Sequence, residues 1–267
     1  MLTSLKNPLL KQVRKLHQAK ARAETGWMLL EGPHLVEAAL ETGWPLEYVL
    51  GTPPWIARHP HLWQQLANHA HQAEQVQESL FPELVTTVNS PGILAVAPRG
   101  ARPWQSCLAD PLQVLVVLER IQDPGNLGTI LRTAAAVGVS GVVVSPDSIG
   151  PDHPKVLRAT SGQWFRQPPY VAEVVEVLRV CKQQGFQIVG TSPHAAQSLW
   201  QAKLTAPLVL LFGSEGQGLS GAIQQEVQVP VRIPQQPGVE SLNLSVSVAV
   251  LLYEVARQQQ CVAPSGI

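Results

Sequence analysis

The stretch SLNLSVSVAVLLYE, Ser241 to Glu254, is where the fold is decided. Leu242, Leu244, Val246, Val248 and Val250 alternate with polar or small residues, the period of two expected of a half-buried strand. The LLYEVARQQQ that begins at Leu251 has a helical pattern instead. A buried helix, apolar on most sides, tolerates the same alternation, because Ser245, Ser247 and Ala249 are small enough for close packing. One reading adds a strand to a sheet and the other ends the fold on a helix; the residues alone leave both open.

Working outward, the runs QVLVVLE, GVVVS, FQIVGTS, LVLLFG and VQVPVRI upstream of this stretch are rich in Val, Leu and Ile and are separated by helical segments. Near-continuous apolar strands alternating with helices predict an α/β fold, a mostly parallel sheet covered on both faces. Such sheets take their ligands at the carboxyl ends of the strands. RGARPWQSCLADP, Arg99 to Pro111, is rich in breakers and reads as a linker. Before it, GWMLLEG, LEYVLGT and GILAVAP read as short strands, with helices expected over Pro33 to Glu41 and His61 to Gln75. The division expected is a small α/β domain over 1–98, a linker over 99–110, a second domain over 111–260 and a tail over 261–267.

Composition narrows the partners. Of 267 residues, 45% are hydrophobic and 14% charged, and 19 Lys and Arg balance 19 Asp and Glu. No global field attracts a polyanion, so affinity for nucleic acid must come from a local patch. The first candidate lies between Pro8 and Arg22, where Leu9, Val13 and Leu16 take one side and Lys11, Arg14, Lys15, Gln18 and Arg22 the other. That stripe suits tracking of RNA phosphates, and equally an ordinary solvated face or a membrane-surface helix. Cys107, Cys181 and Cys261 have no metal-ligand spacing, and an odd number without a secretory leader points to reduced, structural thiols in the cytoplasm. No apolar run approaches the roughly 18 residues of a spanning helix, so a soluble protein is expected. His59, His61, His69 and His71 are paired at i, i+2, which does not stack two ligands on a helix face; no metal is expected.

Three loops follow three of the strands: DPGNLGTILR, FGSEGQGLS and RIPQQPGVESLNLSVSVAVLLYE. In the first, Pro124 and Gly125 turn the chain, Asn126 is placed to cap a helix, and Gly138 suits its end. Leu127, Ile130, Leu131 and Ala134 form the buried stripe of that helix, and Arg132 points away from it. The second loop lacks both the lysine of a P-loop and a dinucleotide fingerprint. Alone it says only that a backbone approaches something closely.

Together, in this order, the three loops resemble the signature motifs of the SpoU/TrmH family of RNA ribose 2′-O-methyltransferases, in the SPOUT superfamily. The resemblance implies an α/β trefoil knot, which connection rules alone argue against. It also makes Ser241 to Glu254 part of a helix, buried in the knot and in a homodimer interface. Asn126, Arg132, Glu215, Ser241 and Asn243 fall on the motif positions tied to catalysis. Gly213, Ile233 and Leu242 fall on positions that hold the adenosine of S-adenosylmethionine, with Glu215, Gly216 and Asn243 beside them. The region from Ser4 to Leu40 resembles a substrate-binding domain similar to ribosomal protein L30e, which favours RNA for the basic stripe.

The activity implied is methyl transfer to a ribose 2′-hydroxyl, in 23S-type ribosomal RNA ahead of tRNA, without a metal. A noncatalytic RNA-binding relative and a nucleotide-dependent enzyme of doubly wound fold are the rivals. A ribose hydroxyl is a poor nucleophile until its proton leaves or its developing charge is stabilised. Arg132 suits stabilisation of that charge or capture of an RNA phosphate; as a base it is chemically difficult, because a guanidinium holds its proton too tightly. Asn126 would orient Arg132 or the ribose, Glu215 would fix its loop or Arg132, and Ser241 and Asn243 would bond donor or ribose.

Overall fold

The computed structural model describes residues 1–100, 102–109, 113–205, 207–239 and 241–259. Two compact units emerge, Met1–Ala101 with Gly150–Arg166, and Arg102–Ile149 with Gln167–Ile267. In the first, α1 (Pro8–Lys15) and α2 (Ala19–Thr25) precede β1 (Trp27–Glu31), α3 (Pro33–Glu41), β2 (Leu46–Gly51), α4 (Pro53–Arg58), α5 (Pro60–His69), β3 (Ala70–Gln75) and β4 (Ile93–Pro98). The sheet runs β1-β4-β2-β3, antiparallel except for the β2–β3 pair. Its β3, AHQAEQ, replaces the second half of the helix expected over His61 to Gln75. An edge strand that leaves its polar side chains in water carries no apolar alternation to betray it.

The expected basic stripe is also broken in two. Asn7 caps α1 by accepting from Leu9 N at 2.9 Å, while Leu10 and Val13 turn into the core. The chain then kinks before α2, and Arg22 falls inside the unit, only 2% exposed. Its NH1 donates to the carbonyls of Leu16 and His17 at 3.0 and 3.2 Å, where the turn after α1 leaves backbone acceptors unmet, and its Nε donates to Asp152 Oδ2 at 3.0 Å. Arg22 is therefore a buried structural ion, which corrects its place in the RNA-facing stripe.

Gly150–Arg166, expected in the second domain, clusters with the first unit. Asp152 takes Arg99 as well as Arg22. In α7 (Pro154–Ala159), Arg158 reaches Glu31 Oε2 at 2.6 Å, and Trp164 and Phe165 meet the ring of Trp44 edge-on at 5.3 and 5.7 Å. Apart from Arg99 and Asp152, these partners lie more than a hundred residues apart in sequence, so no local pattern announces them.

In the second unit, β5 (Val114–Leu118), α6 (Pro124–Val137), β6 (Gly141–Val144), β7 (Tyr170–Val171), α8 (Val174–Gln183), β8 (Gln187–Thr191), β9 (Leu208–Phe212), α9 (Gly221–Gln224), β10 (Val229–Val231) and α10 (Leu244–Gln259) build a sheet in the order β10-β8-β9-β5-β6-β7. Every pair in it is parallel. All of β5 and β9 is buried, as strands covered on both faces must be. Ser241 to Glu254 contributes to a helix: α10 packs along α6, and Val248, Leu251, Leu252 and Val255 supply its buried face. Gly138 ends α6 in the left-handed conformation, φ 78°.

Part of the expected linker belongs to this core. Trp104–Ala109 forms a 3₁₀ turn whose Trp104 and Cys107 pack with Cys181 and Val177. Burial pushes the Cys181 thiol up to about 12, so it stays protonated at neutral pH. Cys261 and the tail over 261–267 lie outside the described residues. The histidines serve the first unit: His59 stacks on Trp55 at 4.5 Å and His69 Nε2 meets the carbonyl of Trp44 at 2.8 Å. Among the described residues no helix is long and apolar enough to cross a membrane, and no group of three His, Cys, Asp or Glu could hold a metal.

Candidate active site

The loops that leave β5, β9 and β10 converge at the carboxyl edge of the parallel sheet. After β9, the glycine-rich loop folds back on itself: Ser214 N donates to Gly218 O at 3.1 Å and Gly218 N returns to Ser214 O at 2.9 Å. A Cβ on Gly213 would collide with the backbone of Gly218 and Leu219, so glycine is required there by the closeness of the two strands of the loop. The loop is then fastened to β5, because Ser220 N donates to Glu119 Oε2 at 2.8 Å. Glu119 is 7% exposed and was not anticipated as a site residue. Its signal in the sequence is a carboxylate closing the apolar run VLVVL. Beyond it Arg120 takes a left-handed conformation, φ 55°, fixed by a 2.8 Å bond from its N–H to Ser145 Oγ.

The helix after β5 starts earlier than expected. Asp123 is its cap, with Oδ1 accepting from Asn126 N at 2.7 Å, so Asn126 sits inside the first turn and its side chain is released from capping. That carboxamide is used across the site. Asn126 Nδ2 donates to Glu215 Oε1 at 3.0 Å, and Asn126 Oδ1 accepts from Asn243 Nδ2 at 2.9 Å. Asn243 in turn caps α10, its Oδ1 accepting from Ser245 N at 2.9 Å and Val246 N at 3.3 Å. One hydrogen-bonded chain thus joins a residue from each of the three loops.

Beside this chain lies a cleft of about 730 Å³, within the range of small-molecule sites. Gly213, Glu215, Ile233, Ser241, Leu242 and Asn243 all line it, together with Leu219, Arg232 and the Thr191–Pro193 end of β8. Leu219, Ile233 and Leu242 offer apolar walls for a planar ring, and the tight Gly213 turn brings backbone polar groups to the cleft wall. The residues present fit an adenosyl ligand. Gly216 is exposed on the same loop, outside the lining, and Arg132 is exposed on α6, also outside it. Asn126, at the start of the same helix, lies outside the lining too and joins the site through its bonds to Glu215 and Asn243.

On the first unit, Lys11, Arg14 and Lys15 are exposed on α1 and border a shallow groove of about 560 Å³ with His17 and Gln18. Arg14 also pairs with Glu83 at 3.2 Å. Three of the four expected cations therefore face water together.

Residues 113–253 match the SpoU rRNA Methylase family, and residues 7–95 match the MRM3-like substrate binding domain. An uncharacterised tRNA/rRNA methyltransferase of Synechocystis is 40% identical over 99% of this chain and 96% of its own length. The 23S rRNA (guanosine(2553)-2′-O)-methyltransferase RlmP of Bacillus subtilis is 28% identical, over 95% of this chain and 98% of its own. Among solved structures, an AdoMet-bound rRNA methyltransferase from Sinorhizobium meliloti superposes with a TM-score of 0.85 at 30% identity, covering 96% of this chain and 97% of its own.

Proposed function

The chain belongs to the SpoU rRNA Methylase family, and from that membership we propose that it methylates a ribose 2′-hydroxyl of 23S-type ribosomal RNA, with S-adenosylmethionine as donor and the motif residues in the roles below. The observation that carries the assignment of roles is the bonded chain Asn243–Asn126–Glu215 set against the cleft. Helix capping alone would use Asn243 and leave Asn126 and Glu215 no reason to meet.

The donor, bound in the cleft, supplies a methyl group on a sulfonium with a neutral thioether as leaving group. What remains for the protein is alignment and management of the acceptor hydroxyl. Ile233 and Leu242 enclose the adenine, the Gly213 turn supplies backbone polar groups, and Ser241 bonds the donor or the ribose. Asn126, held from both sides, keeps the loops after β5 and β9 in register. Arg132, exposed and outside the cleft lining, meets the RNA rather than the donor: it holds a phosphate or stabilises charge developing on the attacking oxygen.

We assign RNA capture to the first domain, through Lys11, Arg14 and Lys15, and donor binding and catalysis to the second. A homodimer formed along α10 completes the reading, with Val246 and Tyr253, two turns apart on one face, left 46% and 55% exposed. A ribosomal RNA substrate goes with a cytoplasmic protein, which is part of this proposal. The test is calorimetric titration with S-adenosylmethionine, followed by mapping of ribose methylation in ribosomal RNA and tRNA from a strain lacking the protein. One methylated ribose missing from 23S RNA is the expected result. Absence of donor binding would leave an RNA-binding relative, and loss of a tRNA site instead would move the substrate.

A further inference from the structure

After β8 the chain leaves the cleft as a strap, Ser192 to Lys203, and this strap is pinned along its length. Leu199 N donates to Arg232 O at 2.8 Å and Arg232 N donates to Gln197 O at 3.0 Å, while the Arg232 guanidinium holds the carbonyls of Ala195 and Ala196. Gln201 Oε1 accepts from both N and Oγ of Ser198, at 3.0 and 2.9 Å. Gln258 of α10 fastens the far end, donating to Ala202 O at 3.0 Å and accepting from Leu204 N at 2.8 Å. Ser198, Leu199 and Ala202 are buried. In the middle of these anchors the indole of Trp200 is 60% exposed.

Every anchor is made by the backbone or by a neighbour, so the strap does not need an indole to hold its shape. A large ring held in water on a rigid support is free to stack on a flat partner. The local charge says which kind. From Val177 to Ser214 the sequence contains no Asp or Glu, whereas Arg179, Lys182 and Lys203 are present; of these, Lys182 is paired with Glu226. Lys203, three residues from Trp200, is exposed. Arg232, which pins the strap, also lines the donor cleft, as do Ser192 and Pro193 at its start. An exposed aromatic ring with an exposed cation three residues along the same strap is the composition that binds unpaired nucleotides, the ring stacking on a base and the cation meeting a phosphate.

We propose that Trp200 is a positioning residue for the RNA, a platform on which an unpaired base flanking the acceptor nucleotide stacks, with Lys203 on the adjoining phosphate. The proposal rests on the methyltransferase reading above, since it needs RNA at the cleft.

The probe is a single-stranded RNA of about twelve nucleotides carrying 2-aminopurine, whose fluorescence is quenched on stacking. Wild type and Trp200→Phe quench it; Trp200→Ala does not, and binds about tenfold more weakly, as expected for removal of one base–aromatic stack. The log-log salt slope is unchanged in Trp200→Ala and falls by about 0.7 in Lys203→Gln, because only the second takes a cation away from a phosphate. Donor affinity, measured by calorimetry, stays at the wild-type value in all three. Equal RNA binding by Trp200→Ala, failure of Trp200→Phe to restore it, or a change of oligomeric state on sedimentation of Trp200→Ala would overturn the proposal, the last by giving the surface to a second copy. A wild-type protein that binds neither donor nor RNA overturns the functional reading itself, and is distinguished by the donor titration.

Discussion

Asn243 gives its side-chain oxygen to the first turn of α10 and its side-chain nitrogen to Asn126 Oδ1, 2.9 Å away. The cap therefore fixes the sense of the whole chain. With the Asn243 oxygen committed to backbone N–H groups, its nitrogen must face Asn126, which must answer with oxygen and so turn its own nitrogen toward the carboxylate of Glu215. A helix terminus thereby orients groups contributed by two other loops.

Asn243→Asp separates the two duties. A carboxylate caps as well as a carboxamide and complements the helix dipole, so the melting temperature should stay within about 2 °C of wild type. The donor toward Asn126 is lost, however. Asn126 must then rotate its nitrogen toward the new carboxylate, which sets its oxygen against Glu215. Methyl transfer should drop at least tenfold, and the double variant Asn243→Asp, Glu215→Gln should recover part of it by running the chain in the opposite sense. An Asn243→Asp variant as active as wild type would show that the chain has no part in catalysis.

Arg132→Ala should lower the single-turnover rate of methyl transfer by roughly 10² or more at saturating RNA, the usual scale for removing one stabiliser of transition-state charge. Donor affinity should be nearly unchanged, since Arg132 lies outside the cleft lining. A rate within threefold of wild type would remove Arg132 from the mechanism.

How much of the fold and site was legible in the sequence depends on where each residue finds its partner. The strands of the parallel sheet announce themselves, because burial on both faces demands runs such as VLVVL and LVLLF. The edge strands β3 and β7 do not: one is polar and the other has two residues. The alternation of Ser241 to Val250 misleads in the same way, since a helix packed against α6 that buries Ser245 and turns Ser247 to the cleft imitates a period of two. At the site, the loops identify the residues but not their roles. Asn126 looks like a cap because it stands directly before the apolar stripe, and the geometry gives the cap to Asp123. Arg22 looks like surface because its carboxylate, Asp152, lies 130 residues away.

The cations of the first unit accordingly divide into two kinds. Replacing Lys11, Arg14 and Lys15 with Gln should weaken RNA binding and reduce the log-log salt slope by about 0.7 to 0.9 for each phosphate no longer neutralised, with folding unaffected. Arg22→Gln should act on the fold instead. Removing one partner of a buried, hydrogen-bonded ion pair costs about 3–5 kcal/mol. Arg99 remains on Asp152 to soften that loss, so the low end is expected. Urea unfolding and filter binding at several salt concentrations distinguish the two effects; a flattened slope in a fully stable Arg22→Gln protein would return Arg22 to the RNA face.

Helix α10 has two apolar sides. Its inner face is satisfied by Val248, Leu251, Leu252 and Val255 against the rest of the unit, whereas Val246 and Tyr253 project from another side with Val250 half-buried between them. An apolar stripe running along two turns of a helix is better covered than left in water, and covering it with the same helix of a second copy satisfies both at once, as an interface with twofold symmetry requires. Val246→Glu with Tyr253→Glu should therefore give a monomer on sedimentation at micromolar concentration. The fold should persist, because neither side chain belongs to the buried face of the helix. If the doubly substituted protein still sediments as a dimer, α10 is not the contact; if wild type sediments as an active monomer, there is no dimer to explain.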